Sequence, residues 1–211
     1  MGKIKGERRM NKVLSIDIET KNLSNEIGGW NNQHLFKVAC AVTYDGSVTK
    51  VYTDAPLTDV LTKSEDMEVK SLRDLKYDLD DHFQKGGQLL GHNINAFDLP
   101  VLRDAMDIYI VRKYLENKEE RCIDTSARVT KESGKRVHLD NLVKCTLNDS
   151  KTMSGVDSVA KWRAQEYDEV IEYCIKDTVL TYDLWKYGQE NNIVKFYDED
   201  SNEHIDLPIE W

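Results

Sequence analysis

The sequence predicts an α/β fold: a mixed central sheet, first an antiparallel meander and then parallel strands, flanked by helices. Three observations lead there. Apolar segments of strand length at residues 13–18, 36–44 and 48–53 follow one another, the second ending at an Asp45-Gly46 turn. Short apolar strands near 88–91 and 121–125 then alternate with stretches of helical periodicity. The 211 residues, 40% of them hydrophobic, are enough for one self-sufficient core, and no internal repeat or low-complexity tract interrupts them.

Residues 1–9 (MGKIKGERR) are polar and basic and read as a loose tail, leaving 10–211 as a single domain. The first strand carries Val13, Leu14, Ile16 and Ile18. Ser71 is placed to cap a helix over 71–85 with Leu72, Leu75, Leu79 and Phe83 on one face, and Gly86-Gly87 ends it. A buried strand at 88–91 leads through a polar turn to helical pattern over 99–119. A strand at 121–125 precedes helices near 139–147, 158–164 and 167–189. The segment 196–211 alternates acidic and apolar residues and suits either an added edge strand or an arm.

No stretch has the length of apolar sequence that crosses a bilayer, and the N-terminus lacks the order of a signal peptide, so the expected location is cytoplasmic, with no membrane partner. Cys40, Cys122, Cys145 and Cys174 lie far apart without zinc-ligand spacing and read as reduced, buried thiols. A net charge of -9 argues against tight non-specific duplex binding, because duplex binders carry a basic footprint. It is compatible with gripping one strand end through bound cations.

Three short motifs carry chemistry. In Ser15-Ile16-Asp17-Ile18-Glu19-Thr20, strand alternation turns Asp17 and Glu19 to one face, where two carboxylates repel and call for a cation; a solvated strand face gives the same pattern. In Gly91-His92-Asn93-Ile94-Asn95-Ala96-Phe97-Asp98, a polar turn delivers Asp98 near a helix start, and an N-cap is its plain alternative. His92 reads as a packing or hydrogen-bonding residue, since oxygen-rich sites for hard ions rarely use imidazole. Tyr173 and Asp177 stand one helical turn apart, so phenol and carboxylate share a stripe; a half-buried Tyr beside a surface Asp is the bland version.

In order and content these motifs resemble the DEDD, or DnaQ-like, 3′-5′ exonuclease superfamily with its ribonuclease-H-like fold. Asp17 to Thr20 resembles its first motif, Asn93 to Asp98 its N-x(2-3)-F-D motif and Tyr173 to Asp177 its Y-x(3)-D motif, over residues 11–189. The tyrosine subgroup is indicated, because a histidine-type member has His where this chain has Glu172. Residues 139–185 also look like domains related to family B polymerase proofreading and YprB-type proteins. The resemblance implies that Asp17, Glu19 and Asp177 hold one magnesium or manganese ion, with Asp17 bridging to a second whose waters contact Asp98. It makes Tyr173 the group that orients the attacking water. Thr20 and Leu23, with Asn93 and Phe97, become contacts to the terminal nucleotide, although Lys21-Asn22 replaces the usual Thr-Gly.

The implied substrate is the 3′ end of single-stranded DNA or RNA, released as nucleoside monophosphates, with a polymerase or helicase as the kind of partner such a domain serves. Trp30 and Phe36 flank a polar loop at 28–34 and are placed to stack on bases, with core or rim packing the plainer reading. Asp124, after a strand near the site, reads as either a residue supporting the site from behind or a capping residue. A ribonuclease or internally cutting nuclease of the same fold, and a binding module that lost the chemistry, are the alternatives; intact carboxylates and Tyr173 speak against the last.

Overall fold

The computed structural model describes residues 13–58 and 67–211, so the expected 1–9 tail lies outside the described residues. Six strands form one mixed sheet in the order β4-β3-β2-β1-β5-β6: β1 Val13–Thr20, β2 Val38–Tyr44, β3 Thr49–Thr53, β4 Met67–Lys70, β5 Gln88–Gly91 and β6 Cys122–Asp124. β1, β2 and β3 make the expected antiparallel meander, and β5 and β6 add to β1 in parallel. This is the α/β, ribonuclease-H-like arrangement that the element order predicts. The register of β1 against β2 shifts between Glu19 and Thr20, a bulge at the point where the strand delivers its carboxylates.

The β1 alternation sorts the two faces. Ile16 and Ile18 point into a core with Leu75 and Leu79 of helix α1 (Leu75–Gln84) and Leu99 and Leu102 of α2 (Asp98–Ala105). On the opposite face Cys40, Val42 and Val51 meet Val170, Ile171 and Cys174 of the long helix α8 (Tyr167–Asn191). Among the described residues no helix is long and apolar enough to cross a membrane.

Four features differ from the sequence expectation. β4 pairs with β3 in parallel at the sheet edge; none of its four residues is buried, so it carries no alternation to read. The 99–119 stretch is three helices, α2, α3 (Tyr109–Glu116) and the single turn α4 (Lys118–Arg121), broken where Asp107 takes a left-handed φ of 51°. Helix α5 (Thr125–Ser133) buries one large apolar side chain, Val129, and so lacks an apolar stripe; the Asp124 carboxylate starts it by accepting the Ala127 amide.

The fourth is the C-terminal segment, which is neither an edge strand of the main sheet nor a free arm. β7 (Ile193–Asp198) and β8 (Glu203–Pro208) pair only with each other, and Val194, Phe196, Leu207 and Ile209 are buried against α6 (Leu139–Leu147) and α8. Helix α7 (Gly155–Arg163) precedes α8. The cysteines are all free, but only Cys40 and Cys174 are buried.

Candidate active site

Asp17 and Glu19 leave β1 on the face that meets α8, which is why their side chains reach Tyr173 and Asp177. Ser15, two residues before Asp17 on the same face, donates its hydroxyl to the Thr178 carbonyl at 2.8 Å and pins strand to helix. Tyr173 and Asp177 lie on the buried stripe of α8. Asp17, Glu19, Tyr173 and Asp177 all line one cleft of about 520 Å³, together with Thr20, Leu23, Trp30 and Phe97.

Each carboxylate is held by a specific partner. The Cys174 thiol donates to Asp17 Oδ2 at 3.4 Å, and the Ser158 hydroxyl of α7 donates to Glu19 Oε2 at 2.5 Å. The Ile18 amide donates to Asp98 Oδ1 at 3.2 Å. Asp98 is the first residue of α2 rather than the N-cap considered from sequence, and it is 4% exposed, tucked behind β1 rather than on the cleft wall. The Lys151 ammonium stands 2.5 Å from Asp177 Oδ2 and 5.0 Å from the centre of the Tyr173 ring. Lys151 is itself anchored, because its amide donates to Asp140 Oδ1 while Lys176 holds the neighbouring Asp149.

The electrostatics follow from crowding. Burial, then the charge of Asp177, pushes the Asp17 carboxyl up to about 7. Burial and the charge of Asp17 hold Glu19 and Asp98 well above the usual carboxylate range. Asp177 is raised by burial despite the opposing pull of Lys151. Burial and three nearby carboxylates raise the Tyr173 phenol, so it stays a protonated donor. Burial holds His92 down to about 3, and its Nδ1 lies 2.9 Å from the Thr125 hydroxyl, the hydrogen-bonding role expected for it.

The second motif is shaped by one carboxylate and one glycine. Asp124 accepts the amides of Asn93 and Asn95 at 2.9 and 3.1 Å while capping α5, so it fixes the turn that precedes Phe97 and Asp98. A Cβ on Gly91 would stand 2.7 Å from Ile94, so only glycine lets the turn fold this closely over the end of β5. Asn93, expected to contact substrate, takes a left-handed φ of 69° and is not on the cleft wall; its place is in the turn. Phe36 is core, 4% exposed, whereas Trp30 is 62% exposed at the cleft.

Lys151, Ser158 and Cys174 escaped the sequence reading as site residues. Lys151 sits in a polar loop where a lysine carries no periodic signal. Ser158 and Cys174 belong to helices whose pattern reports packing alone. Among the described residues no three His, Cys, Asp or Glu side chains form a ready-made metal cage. The donor set nevertheless fits a hard divalent ion: it is all oxygen, its members repel one another, and Asp177 Oδ1 is buried without a hydrogen-bond partner.

No curated protein matches the chain. A family model described as RNase_H superfamily matches residues 14–189, a span that contains the six-stranded sheet but for its first residue, Val13, and every residue of the site. On that match and on the sheet order, the chain belongs to the RNase H superfamily, whose members usually hydrolyse phosphodiesters.

Proposed function

We propose that the protein is a divalent-metal-dependent 3′-5′ exonuclease of the tyrosine-type DEDD group, removing nucleoside monophosphates from single-stranded DNA or RNA. The observation that carries this reading is the convergence of Asp17 and Glu19 from β1 with Tyr173 and Asp177 from α8 on one cleft, in the order of the three motifs. Superfamily nucleases typically use two divalent ions. Asp17, Glu19 and Asp177 would hold the first, and Asp17 the second, with Asp98 reaching that ion only through its waters; magnesium and manganese are the ions that suit carboxylate oxygens. Such ions supply water activation and neutralisation of phosphate charge, which carboxylates alone cannot.

The chain's own groups do the rest. Tyr173, kept protonated, donates a hydrogen bond that orients the attacking water. Ser158 and Cys174 each donate to one oxygen of Glu19 and Asp17, which would orient these carboxylates toward an incoming cation. Thr20, Leu23 and Phe97 line the same cleft and would wall the place of the terminal nucleotide. The whole of residues 10–211 would act as one domain, beside a polymerase or helicase.

The test is release of mononucleotides from a 5′-labelled single strand with magnesium or manganese, beside a circular single strand and a 3′-blocked one. The proposal expects stepwise shortening of the linear strand alone. Fragments from the circle would replace it with internal cutting, and no cleavage of any strand would leave a binding module.

A further inference from the structure

Behind the carboxylates of the cleft lie two thiols that phosphodiester hydrolysis does not use. Cys40 and Cys174 are both fully buried between the sheet and α8. Cys40 pairs across the strands with Glu19, and directly opposed residues of neighbouring strands face the same side, so its side chain leaves β2 on the face where the carboxylates leave β1. Cys174 arrives from α8, one residue after Tyr173. The two thiols share a hydrogen bond, and Cys174 in turn donates to Asp17 Oδ2 at 3.4 Å. Two sulfurs and one carboxylate oxygen, from β2, α8 and β1, thus form one continuous cluster.

The spacing has a chemical meaning. A sulfur about 2.3 Å and an oxygen about 2.0 Å from a zinc ion, set at the tetrahedral angle, stand about 3.5 Å from each other. The 3.4 Å between Cys174 Sγ and Asp17 Oδ2 matches that edge of a tetrahedron. Among the described residues no cage stands ready, because the three groups bond one another; an ion would take the place of the two thiol protons that link them. Thiolates favour zinc, whereas the oxygens of Glu19 and Asp177 favour magnesium or manganese, so neighbouring groups divide two classes of ion between them. The approach is open on one side, since Asp17 lines the cleft while both sulfurs are buried behind it.

We propose that Cys40, Cys174 and Asp17 form a zinc site, and that zinc bound there withdraws Asp17 from the carboxylate cluster and silences the protein. Two S–H bonds break and two S–Zn bonds form; the protons leave to solvent and no electrons are transferred. Zinc and the magnesium or manganese ions exclude each other because both need the Asp17 carboxylate. The silencing rests on the nuclease reading, and the zinc site does not.

The experiment titrates the reduced, metal-free protein with cobalt(II), a stand-in for zinc whose bonds to thiolate absorb in the near ultraviolet and whose bonds to carboxylate do not. Wild type and a Cys122→Ala/Cys145→Ala double variant should develop the thiolate band in a single saturable step, and zinc should bleach it. Cys40→Ala and Cys40→Ser should lose the band while keeping a cooperative melt and magnesium-dependent release of mononucleotides. Zinc should stop that release in wild type, and Cys40→Ala should need at least roughly 10- to 100-fold more zinc, the scale on which even an outer partner of a metal ligand counts. No thiolate band in wild type, a band lost with Cys122 and Cys145, a band that survives in Cys40→Ala, or equal inhibition of wild type and Cys40→Ala by zinc overturns the proposal. Failure of the nuclease reading shows separately: a Cys40-dependent band without hydrolysis in magnesium keeps the zinc site and removes the activity it was to silence.

Discussion

Lys151 Nζ lies 2.5 Å from Asp177 Oδ2, and among the described residues its ammonium is the positive charge set against the carboxylate cluster. The same ammonium also lowers the cost of ionising Asp17 and Glu19. Replacing it with an apolar side chain of similar length leaves Asp17, Glu19 and Asp177 facing one another without that counter-charge. Lys151→Met should therefore melt about 3–8 °C below wild type at pH 8 in chelator, as expected for a half-buried pair broken in a protein of this size. Added manganese should raise the variant's melting temperature more than it raises that of wild type. An unchanged melt in chelator would show that solvent screens the cluster.

Asp17→Asn should behave in the opposite way. The folded-state carboxyl titrates near 7, above its unfolded value near 3.9, so the folded chain holds the proton more tightly. Its stabilising contribution is fully present below about pH 4 and is lost as pH rises through about 7, at up to roughly 1.4 kcal/mol per pH unit. Metal-free wild type should accordingly lose melting temperature between pH 4 and 8, and Asp17→Asn should flatten that slope and equal or exceed wild type at pH 8. Saturating magnesium should raise wild type by mass action and leave the variant nearly unmoved. Asp177→Asn should lose the metal response too but gain no stability, because it strands Lys151.

Tyr173→Phe removes one hydroxyl and keeps the ring against Lys151. Turnover should fall up to roughly 10²-fold, the scale of an acid-base group, with manganese affinity nearly intact. Single-turnover hydrolysis beside titration calorimetry separates these quantities. Equal rates would take the phenol out of the reaction.

Ser158→Ala tests the support under Glu19. The hydroxyl's 2.5 Å bond to Glu19 Oε2 is the contact by which α7 orients this carboxylate. Its loss should weaken divalent-ion affinity about 10- to 100-fold, as is typical when a partner of a metal ligand is removed, and Ser158→Thr should restore part of it. Wild-type affinity in Ser158→Ala would show that β1 alone sets the Glu19 rotamer.

How much of this is legible without coordinates depends on whether a residue's role is local. Strand alternation alone places Asp17 and Glu19 on one face and Ile16 and Ile18 on the other, and helical spacing alone puts Tyr173 and Asp177 on one stripe; both hold because they depend only on backbone periodicity. The meander, β5 and helix α6 follow from the same local rules, and so does the mixed sheet. Roles that arise between distant elements carry no such signal. Lys151 reaches Asp177 only because its loop is tied to Asp140 and Lys176, and Ser158 meets Glu19 across 139 residues of chain. Trp30 and Phe36 flank one polar loop and both pack edge-on against Phe97, yet Phe36 is core and Trp30 open, a difference that loop sequence does not encode. The terminal 193–208 strands, whose alternation fits any half-buried edge, close on each other because α6 and α8 offer their apolar side chains a face that the edges of the main sheet do not.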